Sequence, residues 1–231
     1  MAFEHNIYAD RKQLRCGYTT GTCAALAASG AVQRLLTGVW PETVSLRTPK
    51  GLTVEVPLEH CRMQGNTAQC GVRKDGGDDV DKTTGALIQA SVSLSDTPGV
   101  RIRGGQGVGR VTKPGLDQPV GEAAINRVPR QMIREAVEAA CRTADYDGGA
   151  EVTISVPEGE AIAQKTFNPQ MGIVGGISIL GTSGIVEPMS MQAMIDTMAI
   201  ELRQAAAQGH RRLILTPGNY GQDFLTRHGL D

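Results

Sequence analysis

Aromatic residues make up only 3% of this chain, with a single tryptophan. That scarcity removes the stacking platform on which single-stranded nucleic acids are held. Net charge is nearly absent as well, since 23 Lys and Arg face 24 Asp and Glu for a formal −1. No global attraction to DNA or to an anionic membrane follows from such a balance. No apolar run is long enough to span a bilayer, and residues 1–12 carry no apolar core of a secretory signal. The five cysteines (Cys16, Cys23, Cys61, Cys70 and Cys141) are odd in number and form no Cys-x-x-Cys pair. Neither a zinc site nor a disulfide framework is expected, and reduced thiols in the cytoplasm are the default reading. His5, His60, His210 and His228 fall outside every glycine-rich loop, so no hydrolytic triad assembles.

Glycine is what the chain has in quantity: 29 of 231 residues, enough chain for one large domain or two small ones. Residues 1–15 read as an irregular lead-in. Thr22–Leu36 reads as an alanine- and leucine-rich helix, capped by Thr20 or Thr22 and ended by Gly38. Val44–Leu46 and Leu52–Leu58 read as a hairpin around Pro49-Lys50-Gly51. Further strands are expected at Ala68–Arg73, Ala86–Leu94, Val100–Arg103 and Glu151–Val156, with a helix over Pro129–Cys141. From Gly172 the character changes. Ile173–Leu180 reads as one buried strand entering Gly181-Thr182-Ser183-Gly184, followed by a helix over Met191–Gln208. A strand at Arg212–Thr216 and the turn Pro217-Gly218-Asn219-Tyr220-Gly221 would complete the start of a parallel α/β unit.

Four constellations could carry chemistry. Gly17-Tyr18-Thr19-Thr20-Gly21-Thr22-Cys23 puts glycines and hydroxyls at a helix start, which suits either plain capping or an incoming anion. Cys23 there is either an activated thiolate or an inert thiol, and the lack of a nearby histidine favours the inert one. Lys74-Asp75-Gly76-Gly77-Asp78-Asp79-Val80-Asp81 crowds carboxylates. That crowding suits solvent, a divalent cation, or one Asp holding a ribose hydroxyl or a cationic sulfonium or amine. Gly104–Gly115 is not a dinucleotide fingerprint, because no helix follows it. Around it Arg101, Arg103, Arg110, Lys113, Arg127, Arg130 and Arg134 outnumber Asp117 and Glu122, which suggests an anionic ligand or a solvated face. The loops Gly181–Gly184 and Pro217–Gly221 would lie at the carboxyl ends of parallel strands, where open α/β sheets bind ligands.

Taken in order, Gly17–Ala25, Arg73–Gly85, Gly104–Leu116, Gly121–Ile133, Gln164–Ser190 and Pro217–Gly221 resemble the CbiD family of cobalt-precorrin-5B C1-methyltransferases. Lys165-Thr166-Phe167-Asn168-Pro169 and Gly175–Thr182 are the most specific stretches. The resemblance implies S-adenosylmethionine as methyl donor and a cobalt-containing, anionic tetrapyrrole as acceptor at C1, with cobalt-precorrin-6A as the product. It implies an α+β front domain, residues 1–172, followed by the beginning of a Rossmann-like α/β domain, residues 173–231. Family members continue beyond the Pro-Gly-Asn-Tyr-Gly loop, so that second domain is expected to be cut short here. Cobalt would arrive in the substrate, so no metal ligands are assigned, and the state of assembly, including a homo-oligomer, stays open.

In-line methyl transfer needs aligned carbons and a sulfonium kept away from fixed cations. On that basis Thr19, Thr20, Gly21, Thr22, Arg103, Arg110, Lys113 and Arg130 are expected to grip substrate carboxylates. Gly181, Thr182, Ser183, Gly184, Gly218, Asn219 and Tyr220 would hold the donor, with Asp78 or Asp79 as its polar anchor. A Mg²⁺-dependent phosphoryl-transfer enzyme built on Asp75, Asp78, Asp79 and Asp81 is the rival enzyme. A tetrapyrrole-binding fragment without turnover is the rival outside enzymes.

Overall fold

The computed structural model describes residues 3–9, 11–213 and 220–229. A hairpin of β1 (Asn6–Ala9) and β2 (Lys12–Arg15) comes first, where an irregular lead-in was expected. Arg11 turns it at φ 62°. The short β3 (Gly17–Tyr18) then enters α1 (Thr20–Thr37). Thr19 accepts from the Thr22 N–H at one end of this helix, and Gly38, at φ 78°, closes the other. From Thr20 to Val32 every residue of α1 is buried, so this helix is hydrophobic all round and forms the centre of the molecule.

β4 (Thr43–Arg47) and β5 (Thr53–Pro57) form the expected hairpin. β6 (Glu59–Gln64), β7 (Thr67–Arg73), β8 (Leu87–Ser95) and β9 (Gly99–Gly104) follow, then the two-residue strands β10 (Gly107–Val108) and β11 (Arg110–Val111). α2 (Arg127–Thr143) and β12 (Gly149–Ser155) precede a short α3 (Gly159–Ala163). One five-stranded sheet runs β6-β7-β8-β12-β9, antiparallel except where β12 and β9 lie parallel. Residues of β7, β8 and β12 largely alternate between its two faces. Ala68, Cys70, Val72, Ile88, Ala90, Val92, Ala150, Val152 and Ile154 face α1 and α2 in the core, while Gln69, Gln89, Ser91, Ser93 and Thr153 face out. α2 contributes Met132, Ile133, Ala136 and Val137 to the same core, as its periodicity predicts.

The single strand expected over Ile173–Leu180 does not form. Gly175, at φ 80°, breaks it into β13 (Ile173–Val174) and β14 (Gly176–Ile177), which pair with β11 and β10 respectively. Ile179 bridges Ile125, and β15 (Ile185–Val186) pairs with β3. Residues 173–186 are therefore hydrogen-bonded to strands and loops of the first 130 residues. α4 (Met191–Ala207) and α5 (Tyr220–Arg227) follow. The strand read at Arg212–Thr216 falls mostly outside the described residues. The architecture is mixed α/β, with fifteen strands and five helices among the described residues. Among the described residues, no helix is long and apolar enough to cross a membrane.

The packing makes a direct prediction. Leu26 is fully buried in the middle of α1. Leu26→Ala should lower unfolding free energy by about 2–5 kcal/mol, read as a shift of the urea midpoint at unchanged slope.

Candidate functional site

Three of the segments singled out in the sequence meet around residues 15–22. On one side lies the acidic loop. The Arg15 guanidinium grips Asp75 through two hydrogen bonds of 2.5 and 2.9 Å. The Arg15 N–H donates to Asp78 at 2.7 Å, and the Asp78 N–H donates back to the Arg15 carbonyl at 2.9 Å. The Tyr18 N–H donates to the Asp75 carbonyl. On the other side lies the chain from Leu180 to Glu187. The Thr19 N–H and the Thr22 hydroxyl both donate to the Gly184 carbonyl, at 3.1 and 2.6 Å. The Gly21 N–H donates to the Leu180 carbonyl at 3.1 Å, and the Leu180 N–H donates to the Thr20 hydroxyl at 2.9 Å.

Thr19, Thr20 and Thr22 are consequently buried, and their hydroxyls are engaged within the protein. Gly181 is required by this joint, because a Cβ there would lie 2.4 Å from the Thr19 Oγ1. Ser183 bonds back to Ile185, and its carbonyl accepts from the Lys50 N–H. Gly184 is equally confined, packed against Thr48 and Thr22. The loops assigned to substrate and to donor are therefore one interlocked unit. Thr182 sits at its surface. Gly218 and Asn219 lie outside the described residues, and Tyr220 opens α5.

The acidic loop sorts its charges. Lys74 is buried, and its ammonium meets Asp81 at 2.5 Å. Burial pushes the Asp81 carboxyl upward, but Lys74 and the Thr83 hydroxyl and N–H outweigh it and hold the group below its ordinary value. The Arg15 hydrogen bonds hold Asp75 low in the same way. Asp79 goes the other way: burial first, then repulsion from Asp81, raises it, against a hydrogen bond from the Met189 N–H. No cationic side chain forms an ion pair with Asp79 among the described residues.

The basic stretch is dispersed rather than convergent. Arg130 is half-buried and donates to the carbonyls of Ile125 and Ile102 at 2.9 and 3.1 Å, and burial lowers its pKa. Its neighbour Pro129 packs against Gly21, which brings the start of α2 to the start of α1. Arg110 donates to the Gly121 carbonyl, and Lys113 to that of Gln170 at 3.0 Å. Arg103, 67% exposed, lies 3.9 Å from Glu151 on the open face of the sheet. The glycines of Gly104–Gly115 serve close backbone packing: a Cβ on Gly107 would overlap the Val156 carbonyl.

Sequence reasoning missed Lys74 and Arg15 as the partners of the acidic loop. The only available signal was their position, Lys74 opening that loop and Arg15 preceding the first glycine. Cys23 is fully buried, and desolvation pushes its thiol up to about 12 although Lys74 opposes this. The inert reading of that residue holds.

With this geometry in place, comparison with known proteins gives consistent matches. The family model described as CbiD matches residues 7–188. A cobalt-precorrin-5B C(1)-methyltransferase from Thermoanaerobacter sp. (strain X514) is 48% identical over 220 residues, covering 95% of this chain and 59% of the relative. The enzyme of that name from Geobacillus kaustophilus (strain HTA426) is 52% identical over 214 residues, covering 93% and 58%. The crystal structure of the cobalamin biosynthesis protein cbiD from Archaeoglobus fulgidus superposes with a TM-score of 0.61 at 36% identity. That match covers 84% of this chain and 62% of that one. The chain spans about three-fifths of the length of the curated relatives it matches.

Two outcomes follow from the local chemistry. A thiol reagent at about pH 8 should modify exposed Cys61 rapidly and buried Cys23 only on unfolding, so Cys61→Ser should abolish the fast phase. Asp75, with its folded pKa depressed, stabilises the fold above its unfolded value near 3.8 and loses that contribution as pH falls through the folded value. Asp75→Asn should lower Tm at pH 7 and flatten the fall of Tm below about pH 4, measured by thermal unfolding across pH.

Proposed function

The chain belongs to the CbiD family, and on that premise we propose that it serves methyl transfer from S-adenosylmethionine to C1 of cobalt-precorrin-5B, an anionic tetrapyrrole. The observation that carries this reading is the convergence of Gly17–Thr22, Asp75–Asp81 and Leu180–Glu187. These segments are separated by up to about 160 residues, yet they lock into one unit at the start of α1. Each lies within a stretch on which the family resemblance rests.

The residues present suit a cationic donor at one point. Asp79 is a part-buried carboxylate with no ion-pair partner among the described residues, held by the Met189 N–H where the chain enters α4. It would face the donor's ammonium or sulfonium charge, and Asp78 would flank it. When bound, that donor supplies the electrophilic methyl group. The chain's own contribution is positional, since the buried Thr19, Thr20 and Thr22 fix the Gly181–Gly184 backbone and Arg15 fixes the acidic loop against it. Of the four basic residues assigned to the substrate, Arg103, exposed and 3.9 Å from Glu151, is the freest to meet a carboxylate. Arg110, Lys113 and Arg130 would act from their carbonyl-bonded positions. α4 and the residues after it are taken as the opening of the family's Rossmann-like α/β unit.

The Mg²⁺ phosphoryl-transfer reading is weakened by geometry, because Arg15 and Lys74 already occupy two of its four carboxylates. A tetrapyrrole-binding chain without turnover is the second reading, favoured by coverage of only about three-fifths of the relatives' length. The test incubates cobalt-precorrin-5B and S-adenosylmethionine with this chain. A parallel sample uses a full-length hybrid in which the chain replaces the aligned portion of the Geobacillus relative. A one-methyl mass gain with the hybrid is expected, and its absence would defeat the methyl-transfer reading. A visible-absorbance change without mass gain for the chain alone would establish the second reading for it.

A further inference from the structure

Helix α4 turns its apolar side chains away from the rest of the protein. Met191, Met194, Ile195, Met198 and Leu202 follow the spacing of a single helical stripe and are 39–66% exposed. At about 100° per residue, Gln204 lies well away from that stripe, toward the opposite side. Gln204 is the buried residue of the helix, and its amide donates to the Met171 carbonyl at 2.7 Å. Gly115 lets this side approach closely, since a Cβ there would lie 2.6 Å from the Gln204 Cα. Ser190 caps the other end by accepting from the Ala193 N–H at 3.2 Å. The helix is thus capped and pinned through a polar contact while its apolar row faces solvent. An amphipathic helix packing on its own protein shows the reverse order.

We propose that this stripe is the seat of the portion of the family fold that the relatives carry outside their alignment with this chain, about two-fifths of their length. The occupant is a polypeptide with its own apolar face, reading α4 through side chains at i, i+3, i+4, i+7 and i+11. Three of the five anchors are methionines, whose flexible thioethers adapt to an irregular partner surface. The stripe begins two residues after Met189, whose N–H bonds Asp79. The inference rests on family membership and on the exposure of the helix, not on the identity of the reaction.

The test compares the chain with the same full-length hybrid, both in a Cys61→Ser background carrying Met198→Cys. Maleimide should label the introduced thiol quickly in the chain alone at every protein concentration, and at least about tenfold more slowly in the hybrid. Separately, Met194→Glu with Met198→Glu should leave the Tm of the chain alone within about 2 °C, as exposed positions do, and lower that of the hybrid by several degrees. Equal labelling rates in the two proteins would overturn the proposal. So would labelling in the chain alone that slows as concentration rises, which would assign the stripe to a second copy. If the glutamate hybrid does not fold, the labelling comparison decides by itself, because Met198→Cys introduces no charge. Methylation plays no part in either readout, so failure here is distinguishable from failure of the proposed reaction.

Discussion

Gly17 and Gly77 press their backbones together so closely that neither position can carry a side chain. A Cβ on Gly17 would lie 2.3 Å from the Asp75 carbonyl oxygen, and one on Gly77 would lie 2.2 Å from that of Arg15. This contact lets the acidic loop bond to residues 15–18 along its backbone, and it brings Asp75 within reach of the Arg15 guanidinium. The opposite edge of the same segment is then free to pair with Ile185–Val186. Without the contact, the start of α1 would have a partner on one side only. The helix behind it, buried from Thr20 to Val32, would lose the frame that orients its first turn.

Electrostatics follow from that frame. Five acidic and basic groups lie within residues 74–81, and two of the carboxylates are matched to cations drawn from different places. Arg15 comes from the N-terminal hairpin, while Lys74 comes from the end of β7 and is held under the loop. Desolvation disfavours Asp81 as an ion, yet its pKa falls, so attraction to Lys74 and the Thr83 hydrogen bonds win there. For Asp79 the balance reverses, because burial and repulsion from Asp81 outweigh the hydrogen bond from the Met189 N–H and the pull of Lys74. The loop therefore presents one part-buried carboxylate without an ion pair among the described residues, beside an exposed Asp78 bonded to the Arg15 N–H. A run of aspartates read from sequence alone does not contain that distinction.

Periodicity made most of the front half legible. α1, α2, the β4–β5 hairpin and the strands β7, β8, β9 and β12 lie where alternation and helical spacing put them, because each packs on a common core. The failures share a cause. β1 and β2 are four-residue strands too short to show a periodic signal, and β6 is exposed along nearly its whole length. Ile173–Leu180 has the composition of a buried strand, but Gly175 and Gly176 allow it to pair with two different partners in succession. The site was legible as a set of loops and illegible as a structure. Nothing in Thr19–Thr22 says that its hydroxyls are consumed by Gly184 and Leu180, some 160 residues later.

That consumption changes what the loops can do. A helix start whose N–H groups and hydroxyls are already bonded to protein cannot also be an open anion cradle. Its rigidity becomes its contribution, because Thr19, Thr20 and Thr22 hold the backbone of Gly181–Gly184 in place while Pro129 abuts Gly21 from α2. Two helix starts and a loop are fixed together, and the same chain runs on through Glu187, tied to Lys50, into Met189 and α4. Any partner seated on the apolar row of α4 would therefore be positioned by the glycine contact at Gly17 and Gly77. The Met189 N–H, just before α4, also bonds Asp79 of the loop that Gly77 anchors.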